Sequence, residues 1–339
     1  MKIRIIGGGP AGLYCGLLLK KANLARDITI IERNPPDATY GWGVVFSDRT
    51  LTSFREADYK TYLDITDHFV TWDTIDVWYR GERIRCGGHV FAGIPRKLLL
   101  NILQRRCQEL GVQLQFKTEI SDLSEFADCD LTIAADGINS VVCQTYAQVF
   151  KPSRDVGQAR YIWLGTDKVL DAFTFIFREN EHGLFQVHAY PFDGETSTFI
   201  VECDEATWRR AGLDKADEAE SLAYCEQLFA DDLCGHALRS NSSRWINFIT
   251  VRNKTWRYGN LVLLGDAAHT AHFSIGSGTK LAMEDAIALA NAFEQHSNDI
   301  EAALANYELD RKPVVERFQE AARESQTYFE NVKRYLHLQ

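Results

Sequence analysis

Apolar positions fall along the chain in three rhythms. The first is the short unbroken run. Lys2 to Ile6 and Ile28 to Ile31 are apolar and β-branched, as strands buried in a parallel sheet should be. Between them Gly7-Gly8-Gly9-Pro10-Ala11-Gly12 leads into Leu13 to Leu19, which predicts a helix whose first half is buried on nearly every side. Residues 2–32 therefore read as one βαβ unit. The second rhythm is alternation. Ile75 to Arg85 alternates around Arg80-Gly81 and predicts a hairpin. Tyr161 to Leu164, Phe173 to Phe177, Leu184 to Tyr190 and Thr196 to Cys203 then follow one another without an intervening helix, which predicts an antiparallel sheet. The third rhythm is helical: Arg96 to Leu110, Thr279 to about His296, and Asp299 to about Leu336, with a candidate bend at Pro313. Trp245 to Val251 is a further strand-like run. Buried runs of the first kind return at Asp130 to Ala135 and Asn260 to Leu264, so the first sheet is interrupted and later resumed.

Composition narrows the class. A chain of 339 residues gives a prior of roughly two domains. At 45% hydrophobic and 25% charged it is an ordinary globular composition, which excludes disorder and fibrous repeats. No apolar run approaches the length of a membrane span, and the first residues lack the zones of a signal peptide. Cys15, Cys86, Cys107, Cys129, Cys143, Cys203, Cys225 and Cys234 include no Cys-x-x-Cys pair, so neither a disulfide framework nor a zinc site is indicated. The net charge of −10 argues against a nucleic-acid partner. A soluble cytoplasmic protein with no metal is the expectation.

Three motifs carry chemistry. Gly7-x-Gly9-x-x-Gly12 joins a strand to a helix, and Glu32 follows at the end of the second strand. Gly7 would make the tight turn, Gly9 would admit a pyrophosphate to backbone N–H groups, and Gly12 would let helix and sheet pack closely. The helix N-terminus favours phosphate charge. Glu32 would accept from ribose hydroxyls and repel a 2′-phosphate. This unit alone does not separate FAD from NAD. The second motif, Ala134-Ala135-Asp136-Gly137-Ile138-Asn139-Ser140, ends a buried strand. The third, Gly265-Asp266-Ala267-Ala268-His269, ends another and runs on through Ile275-Gly276-Ser277-Gly278-Thr279-Lys280 into a helix. Asp266 would accept from ribityl hydroxyls, while the N–H groups around Gly278 to Lys280 would face the electron-rich edge of a flavin.

In that order the motifs resemble the single-component flavoprotein monooxygenases, the aromatic hydroxylases of the para-hydroxybenzoate hydroxylase type. Arg96 with Leu99 and Leu103 is similar to the family's Arg-x-x-Leu-x-x-x-Leu helix, whose arginine lies near the FAD phosphates and ribose. The resemblance extends through Tyr307-Glu308 and Arg311-Lys312-Pro313. A narrower resemblance, to the salicyloyl-CoA and 2-aminobenzoyl-CoA hydroxylase branch with the violacein-pathway monooxygenase as cousin, rests on four segments. These are Gly41 to Ser47, His188-Ala189-Tyr190, Ser197 to Glu202 and His272 to Lys280. The implied fold class is α/β: a Rossmann-like FAD-binding domain interleaved with an antiparallel β substrate domain, with C-terminal helices. The FAD-binding parts would be 1–73, 96–157 and 253–298, the substrate layer 74–95 and 158–252, and the C-terminal helix 299–339. The implied cofactor contacts are Gly7, Gly9, Pro10, Ala11, Gly12, Glu32 and Arg33 in the first unit. Gly43, Arg96 and Asp136 follow, then Gly265, Asp266, Gly276, Gly278, Thr279 and Lys280. His272-Phe273 stands where most members carry Pro-Pro, Lys280 where most carry Asn, and Val141-Val142 lacks a common arginine.

The resemblance implies that NADH or NADPH reduces FAD and that O2 is delivered from a C4a-hydroperoxyflavin to an electron-rich ring. With no second GxGxxG, the nicotinamide donor would visit a shallow surface. His272 is the leading candidate for a polar residue beside the flavin, the alternative being a histidine that pins its loop. His188 shares a strand face with Gln186 and Tyr190; that face lines a substrate cavity or simply meets solvent. His269 reads as a structural anchor. The leading substrate is a small aromatic ring held as a CoA thioester. The alternatives are an indole or tryptophan-derived intermediate, and a flavin-binding module that hydroxylates nothing. A thioester would need cations against the acidic balance, and Arg154, Arg160, Arg178, Arg209, Arg210, Arg239 and Arg244 are available without one being singled out. The resemblance leaves room for a homodimer. Relatives in the CoA branch can continue past the last helix into an old-yellow-enzyme-like reductase domain, so the chain reads as the hydroxylating half or as a piece of something longer.

Overall fold

A computed structural model describes residues 1–296 and 299–335; the tail expected to finish the last helix, Leu336 to Gln339, lies outside them. Two sheets organise the chain. The first has six strands in the order Arg257–Tyr258, Leu261–Leu263, Leu131–Ala134, Lys2–Ile6, Asp27–Ile31, Gln113–Gln115, and all but the first pair are parallel. Its four central strands are largely buried because helices Pro10–Lys21 and Arg96–Leu110, together with the Gly278–His296 and Ile300–Glu330 pair, wrap it. No described helix is long and apolar enough to cross a membrane.

The second sheet has nine strands, almost all antiparallel. Ser153–Thr166, Ser197–Asp204, Gly183–Pro191 and Phe173–Asn180 are neighbours in that order, and the Arg80-Gly81 hairpin, Val70–Tyr79 with Glu82–Pro95, joins at Phe173–Asn180. Both central turn residues have positive φ (51° and 81°), the geometry a two-residue hairpin turn requires. One face of this sheet packs Ile162, Leu164, Phe185, Val187, Phe199 and Val201 under the helices of residues 205–233. The other face looks toward the parallel sheet.

The structure departs from the sequence pattern in four places. The hairpin begins at Val70, and Gly43–Ser47 adds a further strand beside it, pairing Gly43 with Pro95 and Ser47 with Phe91. The strand expected near residue 158 begins at Ser153. Its first residues are polar and exposed, so no apolar alternation announces them, yet they pair with Ile246–Arg252 through Arg154↔Val251 and Asp155↔Thr250. The helices Asp48–Ala57, Tyr59–Thr66 and Glu218–Leu228 also went unannounced, being short and polar-rich. Finally, the last helix runs Ile300–Glu330 with Pro313 inside it and ends before the expected boundary.

Asp58 ties the helical layer together. Only 2% exposed, it caps Tyr59–Thr66 by accepting from the Thr61 N–H, and it accepts from Arg106 Nε at 2.9 Å while pairing with Lys21 at 3.2 Å. Burial pushes its carboxyl up, but Arg106, Thr61 and Lys21 together pull it down to about 2, from 3.8. A carboxylate depressed on folding stabilises above its unfolded pKa and stops doing so as pH falls through its folded one. This group should therefore contribute roughly 2 kcal/mol above about pH 5 that is lost between about pH 4 and pH 2. In urea titrations across that range, Asp58→Asn should be less stable at neutral pH and should lose that much of the wild type's acid-side slope.

Candidate active site

The turn between Lys2–Ile6 and Pro10–Lys21 divides labour among its glycines. Gly7 has φ 109°, and a Cβ there would meet the Ala135 carbonyl oxygen at 2.1 Å. At Gly12 a Cβ would meet the Gly7 carbonyl oxygen at 2.1 Å, so only glycine lets helix and strand close. A Cβ on Gly9, by contrast, would meet nothing within 4 Å. Gly9 is the N-cap of the helix, with Pro10 and Ala11 opening its first turn, and no side chain caps it. Its free N–H groups and dipole suit an anion. Glu32 ends the neighbouring strand and accepts from the Gly8 N–H at 2.8 Å and from Asn34 at 2.8 Å. A carboxylate so anchored keeps lone-pair capacity for further donors. Arg33 beside it is exposed.

Arg96 opens its helix, and its N–H donates to the Trp42 carbonyl. Its guanidinium makes no ion pair or side-chain hydrogen bond among the described residues. Burial lowers its pKa, opposed by the charges of Asp266 and Tyr190. A desolvated, unpaired cation beside an uncapped helix N-terminus is a place for phosphate. Asp136 is held by the Val141 N–H on Oδ2 at 2.7 Å, while its buried Oδ1 has no partner. Burial pushes its carboxyl up.

The Gly265–Ala267 turn is locked from behind. Asp285, fully buried, accepts from His269 Nε2 at 2.6 Å, Arg311 Nε at 2.9 Å and the Gly265 N–H at 3.2 Å. His269 stacks on Trp256 with ring centroids 5.1 Å apart, so it anchors the loop as its motif position suggested. Tyr307 donates to the Leu263 carbonyl and Glu308 accepts from the Trp256 N–H, which gives the Tyr307-Glu308 and Arg311 positions their purpose. Asp266, thus held, projects outward. Water reaches it, yet protein crowds it closely enough to push its carboxyl up, with His269 and Arg96 opposing. Gly276 has φ 60° and Gly278 and Thr279 begin the next helix. Lys280 turns its ammonium to Glu284 at 3.0 Å and over the Phe318 ring at 4.4 Å, so only its backbone remains for a ligand.

Facing this turn is the floor of the antiparallel sheet. Its register sets Tyr161, Glu202, Gln186 and Phe177 side by side, then Trp163, Ile200, His188 and Phe175, then Gly165, Thr198 and Tyr190. His188 is 1% exposed, so its face does not meet solvent. Tyr190 donates to the Gly43 carbonyl at 3.1 Å, and the Gly43 N–H donates to Thr198 at 3.1 Å, which pins the segment entering this cleft. The indole N–H groups of Trp42 and Trp163 and the Thr39 hydroxyl are buried there without partners. His272 caps its own turn: its Nδ1 accepts the Ser274 N–H at 3.3 Å. Burial pushes the ring down to about 4, so at neutral pH it is uncharged with its hydrogen on Nε2. That geometry suits pinning the loop better than accepting a proton. Glu202, Gln186 and the tryptophans were not singled out as site residues from the sequence; the one available signal was an acid inside the apolar run Phe199-Ile200-Val201-Glu202.

Residues 1–322 match the model of the FAD binding domain family. The chain belongs to that family, the FAD-dependent aromatic monooxygenases. It is 46% identical to salicyloyl-CoA 5-hydroxylase of a Streptomyces species over 99% of its own length and 66% of that protein. It thus spans about two thirds of that relative. It is 38% identical to 3-hydroxy-4-methyl-anthranilyl-(aryl-carrier protein) 5-monooxygenase of Streptosporangium sibiricum, over 97% of this chain and 89% of the other. Protodeoxyviolaceinate monooxygenase of Chromobacterium violaceum is 34% identical, over 100% and 91%. The tetrameric form of 2-methyl-3-hydroxypyridine-5-carboxylic acid oxygenase shares the fold, with a TM-score of 0.79 at 20% identity over 98% and 91% of the two chains. As a member of this family the chain takes FAD. An open cradle at Gly9, an unpaired Arg96 and the unpartnered Asp136 oxygen are compatible with that cofactor.

The two kinds of glycine make separable predictions. Gly9→Ala should leave the melting temperature of the FAD-free protein within about 2 °C of wild type, since its methyl meets open space, yet weaken FAD binding at least tenfold in a fluorescence titration. Gly7→Ala should fail to fold stably. Asp285→Asn, which removes the buried charge that Arg311 and His269 both face, should cost about 3–5 kcal/mol in chemical denaturation.

Proposed function

We propose that this chain hydroxylates an electron-rich aromatic ring presented as a thioester, of the salicyloyl-CoA or 2-aminobenzoyl-CoA kind. What supports this reading is a buried floor of polar groups walled by aromatic rings, with the unpartnered indole N–H groups of Trp42 and Trp163 among them, close to the turn that carries Asp266. The two most identical relatives described above are named for an acyl group on CoA and on a carrier protein, both thioester carriers. The violacein-pathway relative, at 34%, supports the indole reading more distantly.

Bound FAD would supply the redox chemistry, taking electrons from NADH or NADPH and using them to activate O2. The chain's residues bind, orient and shield. The N–H groups after Gly9 and the Arg96 guanidinium would hold the pyrophosphate, with Glu32 on the adenosine ribose and Asp266 on the ribityl chain. The backbone from Gly278 to Lys280 would meet the pyrimidine edge. Phe273, Trp163, Phe175 and Tyr161 would keep the reacting ring dry. The unpartnered Trp42 and Trp163 N–H groups suit a carbonyl acceptor such as the thioester. Among the seven arginines available for CoA phosphates, six are engaged within the chain, and exposed Arg244 has no ion pair or side-chain hydrogen bond among the described residues. All eight cysteines are free thiols, which fits a reducing cytoplasm.

In the FAD-loaded protein, salicyloyl-CoA should perturb the flavin absorbance, stimulate NAD(P)H oxidation and acquire one oxygen atom from labelled O2. Free salicylate and indoles should do none of these. Stimulation by indoles alone would move the assignment to the second reading. No stimulation by either class would leave a flavin-binding module.

A further inference from the structure

In a chain with a net charge of −10, cations that gather without acids to meet them ask for a reason. Such a group lies at the end of the strand pair where Ser153 faces Arg252. Lys254 follows two residues later, and its N–H donates to the Phe150 carbonyl at 2.8 Å, which brings it beside Lys151. Both lysines are exposed, and neither ammonium has an ion pair or hydrogen bond among the described residues. Arg154, opposite Val251, donates to the Ile138 carbonyl at 2.8 Å and to the Asn139 amide oxygen at 3.3 Å, both neutral acceptors. The carboxylates nearby are already occupied. Asp155 accepts from Arg252 at 2.6 Å, while Glu308 takes the Trp256 N–H at 2.9 Å and pairs with Arg257 at 3.4 Å. Lys312, 4.0 Å from Glu308, turns its ammonium to the Lys254 carbonyl and adds a further positive charge.

Phe150, the residue before Lys151, also leads to open rings. Tyr146 packs on it with ring centroids 6.4 Å apart, and Tyr258 lies 5.5 Å from Tyr146 with 48% of its surface exposed. A ring left open beside unpaired cations offers a face to a flat base while the cations take phosphates. The strand Ile246–Arg252 joins this patch to the aromatic floor. Phe248 stands in the floor, its ring centroid 4.9 Å from that of His272 and 6.2 Å from that of Phe273. Arg252 is four residues further along, about 13 Å at the rise of a strand. An extended pantetheine arm has about thirteen bonds between its sulfur and its first phosphorus, which span about 15 Å at the reach of an extended chain. Between the two ends Val156, 62% exposed, lies opposite Ile249 and offers an apolar step to that arm.

We infer that Lys151, Arg154 and Lys254 bind the phosphates of a phosphorylated adenosine, the end group of a CoA thioester, with Tyr258 against its base. The inference rests on the thioester reading above and gives that carrier a place on this chain. No bond is made or broken at the patch. Its part is to hold the carrier by groups remote from the reacting ring, so that the acyl end is delivered to the floor around Phe248. The lysines act as point charges on phosphate oxygens, and Arg154, already fixed by two neutral acceptors, presents its remaining donors without a carboxylate to satisfy them. NADPH also ends in a phosphorylated adenosine, and the test separates the two sources.

The test compares the FAD-loaded wild type with a double variant at two exposed positions. Lys254→Gln removes one charge; Lys151→Asn removes another and tolerates the φ of 47° at that residue. Melting curves check that the variant is folded. Free CoA should bind the variant about tenfold more weakly than wild type in calorimetry, a difference that shrinks as salt rises. With salicyloyl-CoA, KM should rise about tenfold while kcat is unchanged. Salicyloyl-pantetheine, which carries no phosphate, should be used equally by both proteins. Equal affinity for CoA in the two proteins overturns the inference and leaves the thioester reading intact. So does a rise in the KM of NADPH with that of salicyloyl-CoA unchanged, which assigns the patch to the nicotinamide donor. A wild type that neither binds CoA nor turns over salicyloyl-CoA overturns both.

Discussion

One buried carboxylate holds this molecule's working surface in place. Asp285 gathers His269, Arg311 and the Gly265 N–H, and so connects a strand end, the helix Gly278–His296 and the long last helix at a single point. Burial alone would push its carboxyl up; the charges and hydrogen bonds of His269 and Arg311 more than offset that and hold it down. Such a group is expensive to bury and more expensive to leave half-paired, which makes it a stringent constraint on loop geometry. Everything in front of it, Asp266 above all, takes its direction from that node. The neighbouring loop is fastened in the same spirit: Gln319 donates to both Val251 and Thr270, and Asn253 to both Ala267 and Ala268.

The two sheets face the cleft with opposite chemistry. The parallel sheet brings strand ends, glycines and an uncapped helix N-terminus, which are backbone devices for phosphate and sugar. The antiparallel sheet brings side chains, and its register decides which of them meet. Gln186, His188 and Tyr190 stand on one face only because Phe185, Val187 and Ala189 are committed to the core beneath the 205–233 helices. A register slip of one residue would send the polar group into that core and the apolar group into the cleft. The hydrophobic core on one side therefore specifies the polar floor on the other.

Parts of this could be read directly from the residues. The Gly7-x-Gly9-x-x-Gly12 turn was legible because its demands are local: positive φ at Gly7 and close contact at Gly12 are met within a dozen residues. Arg96 was legible by its place at the head of a periodic helix. The polar strand residues from Ser153 were not, because their partner is a segment almost a hundred residues away, and polar residues on an exposed sheet edge leave no periodic trace. His272 could be placed in its loop from the motif. Its state could not, since its burial comes from neighbours distant in the chain such as Phe248.

By itself the sequence determined the nucleotide-binding turn, the acid-and-glycine loop at Asp266, the interruption of one sheet by another and the family to which these belong. Each is written in short stretches where backbone sterics leave few choices. Only the tertiary structure decided that Lys280 turns away to Glu284, that Arg311 serves Asp285, and that Glu202 meets His188 in a ring of phenylalanines. Apart from the one-turn pair Lys280–Glu284, those contacts join residues from 13 to 141 positions apart. They depend on cross-strand register and helix packing, which are fixed by how the whole core closes and by nothing within reach of a local pattern.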